Sequence, residues 1–180
     1  MRPRQLALLG LLLSGAACRR SSGSQRDPDE TGSGGKLSAS WIGADTGKLS
    51  ARPRAVFCTG GNRLELTAVK GDAGVGLAIY PVAAVVPGSY DGFDPVADSI
   101  KRPGVAGAAR WFTEREIDAY QSDWGSLQLT RDGQGFAGVF ALHMRKIGGA
   151  EDSIVLNGRF SGVMPGPCPQ DSVSPPEPAQ

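Results

Sequence analysis

Apolar and polar residues alternate through the C-terminal half of the chain. Leu127 and Leu129, then Phe136, Gly138, Phe140, Leu142 and Met144, then Ile154, Leu156, Gly158 and Phe160 recur at every second position, the repeat that sets side chains on one face of a pleated strand. Polar, glycine-bearing segments divide these runs as turns divide antiparallel strands. Gly125 to Val163 therefore reads as a sheet with one apolar side. Asn157-Gly158 is a dipeptide that suits hairpin turns. Apolar parity continues through it, which predicts an unbroken strand with the glycine beneath a bulky neighbour.

The same rhythm holds upstream. Leu37 to Ile42 predicts a strand and Gly43 to Gly47 a turn. Ala55 to Cys58, the turn Thr59 to Asn62, Leu64-Leu66-Ala68 and then Val75 to Tyr80, stopped by Pro81, make an antiparallel meander. Pro87 to Tyr90 predicts a turn leading into a short extended piece. Asp91 to Ala106, with Pro95 and Pro103, is the longest irregular stretch, the kind of loop where function often sits. Ala109 to Arg115 predicts a strand with Trp111 and Phe112 on opposite sides. Glu116 to Trp124 reads as extended and ended by Gly125, and Met164 to Pro169 as leaving the sheet. Strands without helical periodicity imply an all-β domain, an antiparallel β-sandwich or flattened barrel of roughly eight to ten strands.

The first 36 residues follow a different pattern. Met1 to Arg4 is basic, Leu6 to Leu13 is an apolar run too short to span a bilayer, and Ser14 to Ala17 are small residues before Cys18. Residues 1–17 are a signal peptide. Small residues directly before a cysteine resemble the lipobox of bacterial lipoproteins, which implies acylation of Cys18 and a membrane partner through that lipid. Gly15 stands where the family usually has leucine, and an ordinary secretory peptide cut after Ala17 is the alternative. The lack of aspartate after Cys18 resembles lipoproteins sent to the outer membrane of a two-membrane cell envelope. Residues 18–36 hold no aliphatic or aromatic side chain, so they read as a disordered tether. Residues 37–169 are the β-domain, roughly 130 residues and enough for a core. The proline-rich 170–180 reads as a disordered tail.

Of the three cysteines, Cys18 takes the lipid if the resemblance holds. An oxidising compartment then favours a Cys58–Cys168 disulfide. The net charge is +1 with acids and bases interspersed, so no nucleic-acid partner is expected.

Candidate chemistry is sparse. His143 is the only histidine, and parity puts it opposite Phe140, Leu142 and Met144, on a second face. The sequence lacks a nucleophile elbow, P-loop, dinucleotide fingerprint, C-x-x-C and H-E-x-x-H. Asp91, Asp94 and Asp98 have the oxygen ligands that calcium takes, but their spacing reads as turn usage. Asp118, Asp123, Glu114 and Glu116 read likewise as acids near turns rather than a paired-carboxylate site. No catalytic residue, metal or cofactor is expected.

Tyr120 and Trp124 are the candidate binding surface, with flat faces able to hold a glycan or an envelope protein if both lie outside the core. The expectation is a non-catalytic, membrane-tethered binding module. One alternative is a carrier of a small apolar ligand, in a pocket lined by Phe136, Phe140, Leu142, Phe160 and Ile79. A second is a divergent hydrolase with His143 beside a serine and an acid.

Overall fold

The computed structural model describes residues 34–113, 116–149 and 152–169. The signal peptide, Cys18, the tether up to residue 33 and the tail from residue 170 lie outside the described residues, as does Glu114. The strands are β1 (Lys36–Gly43), β2 (Gly47–Ala51), β3 (Arg54–Cys58), β4 (Arg63–Lys70), β5 (Ala73–Tyr80), β6 (Gly88–Phe93), β7 (Gly104–Phe112), β8 (Ile117–Asp132), β9 (Gly135–Lys146), β10 (Ser153–Val163) and β11 (Gly166–Pro167). They join in one sheet of order β11-β3-β4-β5-β7-β6-β8-β9-β10-β1-β2, which curls into a half-barrel. The all-β expectation is met, and the half-barrel is consistent with the predicted sandwich or flattened barrel. Pairing is antiparallel except for β6 with β7 and β11 with β3.

The curl gathers the apolar face of distant strands around one core. Leu37 of β1, Leu49 of β2, Leu66 of β4, Leu77 of β5 and Leu142 of β9 belong to a single buried cluster. Burial of each such side chain contributes about 1.5–3 kcal/mol. Phe136, Phe140, Leu142, Phe160 and Ile79, the residues expected to line an apolar pocket, are members of this cluster. Trp41 on β1 stacks on Trp111 on β7 at 4.7 Å between ring centroids, and Trp111 stacks on Tyr120 on β8 at 5.1 Å. The Trp41–Trp111 contact spans the hollow between β1 and β7, which are not sheet neighbours, and Tyr120 extends the stack on β8, which pairs with β7. Ring contact holds it, since neither indole N–H has an acceptor among the described residues.

Glycines sit opposite the largest inward side chains. Gly158 pairs with Phe140 and Gly138 with Phe160 across β9 and β10, and a Cβ at Gly138 would come within 2.6 Å of the Phe160 ring. Gly47 likewise pairs with Trp41 and lies under its indole. The predicted continuous strand through Asn157-Gly158, with its covering neighbour, is what forms.

Several boundaries differ from expectation. β2 is an additional strand, and β11 returns the chain to the sheet beyond Met164. Asp91 to Phe93 and Gly104 to Ala106, read as irregular, belong to β6 and β7. Gly125 does not end β8; it takes φ +137° beside a bulge at Asp123 and the strand continues to Asp132.

The Cys58–Cys168 disulfide forms as expected, with 4.7 Å between Cα atoms. It ties the end of β3 to the residue after β11, and Cys168 N–H also donates to the Phe57 carbonyl at 3.1 Å.

Two stability outcomes follow. Alanine at Gly158 puts a methyl group into the Phe140 ring, and such overpacking costs about 1–3 kcal/mol. The urea midpoint of Gly158→Ala should fall with an unchanged slope; an unaltered midpoint would contradict the contact. Replacing both Cys58 and Cys168 by serine opens a link across 110 residues, and the chain-entropy model assigns such a link up to ~4–5 kcal/mol. Reductant should then destabilise the native protein and leave the double variant unaffected.

Candidate functional site

The sheet's outer face divides into a covered half and a bare half. Over β5, β6 and β7 lies the segment 94–103, beneath which Tyr80, Phe93 and Ala106 form a small second core. Arg102 fastens this segment by donating to the carbonyls of Gly61 at 3.0 Å, Asn62 at 3.0 Å and Pro81 at 2.9 Å. Over β8, β9, β10, β1 and β2 no such cover is present among the described residues. One row of outward side chains crosses the bare half through paired positions: Trp124, His143, Val155 and Ile42.

Trp124 is 61% exposed, whereas Tyr120 is 2% exposed. The proposed pairing of the two on one surface is therefore corrected: Tyr120 is a core residue stacked on Trp111. A separation of four in a regular strand keeps one face. Asp123 is an extra residue, unpaired between Ser122↔Met144 and Trp124↔His143, and it turns Trp124 to the opposite side from Tyr120.

Trp124 stacks on His143 with centroids 5.0 Å apart and planes inclined by 8°. The Asp123 carboxylate lies 3.7 Å from His143 Nδ1 and 3.6 Å from Arg145 Nε. At that distance the Asp123–His143 contact is not a hydrogen bond, and Nδ1 has no partner among the described residues. Arg145 also pairs with Asp94.

Asp94 is buried and heavily bonded. Its Oδ1 accepts from Val96 N–H at 2.8 Å, Ala97 N–H at 3.2 Å and Gln121 Nε2 at 3.0 Å. The Val96 N–H, with Ala97 and Arg145 adding to it, holds the Asp94 carboxyl below the usual carboxylate range against the opposing effect of burial. Asp94 and Arg145 thus brace the covering segment against the strand that carries His143.

The other acids serve local structure. Asp98 accepts from Asp94 N–H at 3.3 Å and pairs with Lys101 at 3.5 Å. No group of three or more potential ligands is arranged to hold a metal among the described residues. Asp118 lies 2.6 Å from Lys146 Nζ, which raises the lysine above its ordinary range chiefly through that hydrogen bond. Asp118 follows the inward parity of Tyr120, so it shares no cleft with Asp123. His143 has an acid beside it but no hydrogen bond to a serine among the described residues. Ser122 points away, its Oγ donating to Phe93 O at 2.7 Å and accepting from Gly107 N–H at 2.9 Å.

The sequence signal for Trp124 was its type; Asp94 stood out only as one of three loop aspartates, and nothing signalled that it meets Arg145 across 51 residues.

The depressed Asp94 carboxyl sets a pH dependence. A group whose folded pKa lies below its unfolded value stabilises the fold above the unfolded value, near 4, and loses that contribution as pH falls through the folded one. Asp94→Asn should lower the melting temperature at pH 7 and flatten the acid limb of the stability profile below about pH 4. An acid limb identical to wild type would contradict the assignment. Comparison with known proteins finds no family model that matches the chain, no curated protein similar in sequence and no solved structure similar in fold.

Proposed function

We propose that the chain is an exported, lipid-anchored module of the cell envelope that binds a partner through the bare outer face and performs no catalysis. The signal peptide and lipobox-like cysteine give the address, and the segment between Cys18 and β1, which begins at Lys36, the last residue expected in the tether, gives reach from the membrane. The observation that carries the binding role is Trp124. A large ring held at 61% exposure, stacked on His143 and set by a bulge, adds little to the chain's own core. Rigid aromatics of this kind supply contact area at small entropic cost and are enriched among binding hot spots.

The test is capture of isolated envelopes by the soluble domain. Trp124→Ala should reduce capture at least about tenfold, the loss typical of truncating a hot spot, with the melting temperature kept, and Trp124→Tyr should restore much of it. Equal capture by all three would refute the role. Intact mass of the membrane-extracted protein should show acyl chains on Cys18; an unmodified terminus would refute the anchor.

A further inference from the structure

We propose that the bare face binds an acidic polysaccharide in a cationic trough over β9, β10, β1 and β2; this rests on the binding-module reading and specifies the ligand's chemistry. The chain carries 19 basic and 18 acidic residues, yet β9, β10, β1 and β2, adjacent in the sheet, contain no aspartate or glutamate. Charge that balances overall is segregated here. Arg145 is occupied by Asp94 and Asp123, and Lys146 by Asp118 and Glu116. Lys36, Lys48 and Arg159 have outward positions and no ion-pair partner among the described residues.

Lys36 and Arg159 line a shallow recess, and Lys48 stands beside it on β2, opposite Ser40. Two depressions of about 370 and 350 Å³ share Ser38 and Arg159 and so run together. The first is lined also by Ser40, Ala141 and Asn157, the second by Lys36. Small side chains leave the backbone of Ala39 and Gly158 within reach. Arg159 on β10 pairs with Ser38 and Lys48 on β2 with Ser40, so the two stand two strand spacings apart, about 10 Å across the sheet, and two residues apart along it. A sugar chain with an acid on successive units meets this arrangement at each point. Its carboxylates or sulfates pair with Arg159 and the lysines, and its hydroxyls meet Ser40 and Asn157, which have no side-chain hydrogen bond among the described residues.

Other occupants fit less well. A bilayer surface takes a continuous row of protruding apolar side chains, whereas Ser38, Ser40, Asn157 and Arg159 interrupt Val139 and Ala141 here. A protein partner favours an interface centre depleted in lysine, whereas Lys36 lines this recess. Duplex nucleic acid draws on a longer cationic stripe.

Calorimetric titration of the mature protein tests the proposal, with polygalacturonate and heparin as acidic probes. Fully methyl-esterified polygalacturonate is the uncharged counterpart and oligo-dT a polyanion without sugar-acid geometry. At least one acidic polysaccharide should bind, the ester about tenfold or more weakly, as loss of charged hydrogen bonds implies. Lys36→Gln/Arg159→Gln should lose a similar factor while melting as wild type, and Arg159→Lys should recover part of it. Equal binding of ester and free acid, or tighter binding of oligo-dT, would overturn the proposal. So would failure of both acidic probes, and Trp124-dependent envelope capture that persisted in that case would leave the binding-module reading standing.

Discussion

The curl of this sheet depends on bulky inward side chains lying over glycines of the adjacent strand. Phe140 over Gly158 and Phe160 over Gly138 are reciprocal pairs, so each ring lies down across its partner strand instead of standing into the hollow. The inner layer stays thin, and the two margins of the sheet approach closely enough for one core to serve both. Trp41 over Gly47 repeats the device near one margin, and the Trp41–Trp111–Tyr120 stack crosses the gap that remains. A Cβ at these glycines removes the space the rings occupy, and side chains in a close-packed interior have little other room.

The same economy leaves the outer side divided. One half is sealed by the segment 94–103, tied down by Arg102 at one end and by the Asp94–Arg145 pair at the other. The bulge at Asp123 marks the border, where β8 leaves β7 and takes up β6. Arg145 and Asp123 link the seal to His143, and His143 to Trp124. Loop anchoring and aromatic presentation are therefore one constellation, placed beside strands whose cations lack local partners.

Legibility followed the physics of alternation. Phe136 to Met144 and Ile154 to Phe160 are long, with one side buried except for the partly buried Gly158, and the alternation shows their faces, His143 included. β2 has a single buried residue, Leu49, too little for a period to show, and β11 is only Gly166–Pro167. The glycines and prolines around 91–106 masked the ends of β6 and β7. The error over Tyr120 has one cause, the extra residue Asp123, because a bulge resets parity without a distinctive local composition. Pairings such as Asp94 with Arg145 and Cys58 with Cys168 differ in kind. The cysteines were countable, whereas an acid and a base far apart in sequence give no sign of meeting.

Everything assigned to the outer face requires Trp124 to stand outside while Trp41 and Trp111 stand inside, and collisional quenching of indole fluorescence measures this directly. With three tryptophans in the chain, the native protein should show one population open to iodide and another shielded from it, and Trp124→Phe should abolish the open one. Three shielded indoles, or an open population that survives the substitution, would contradict the account.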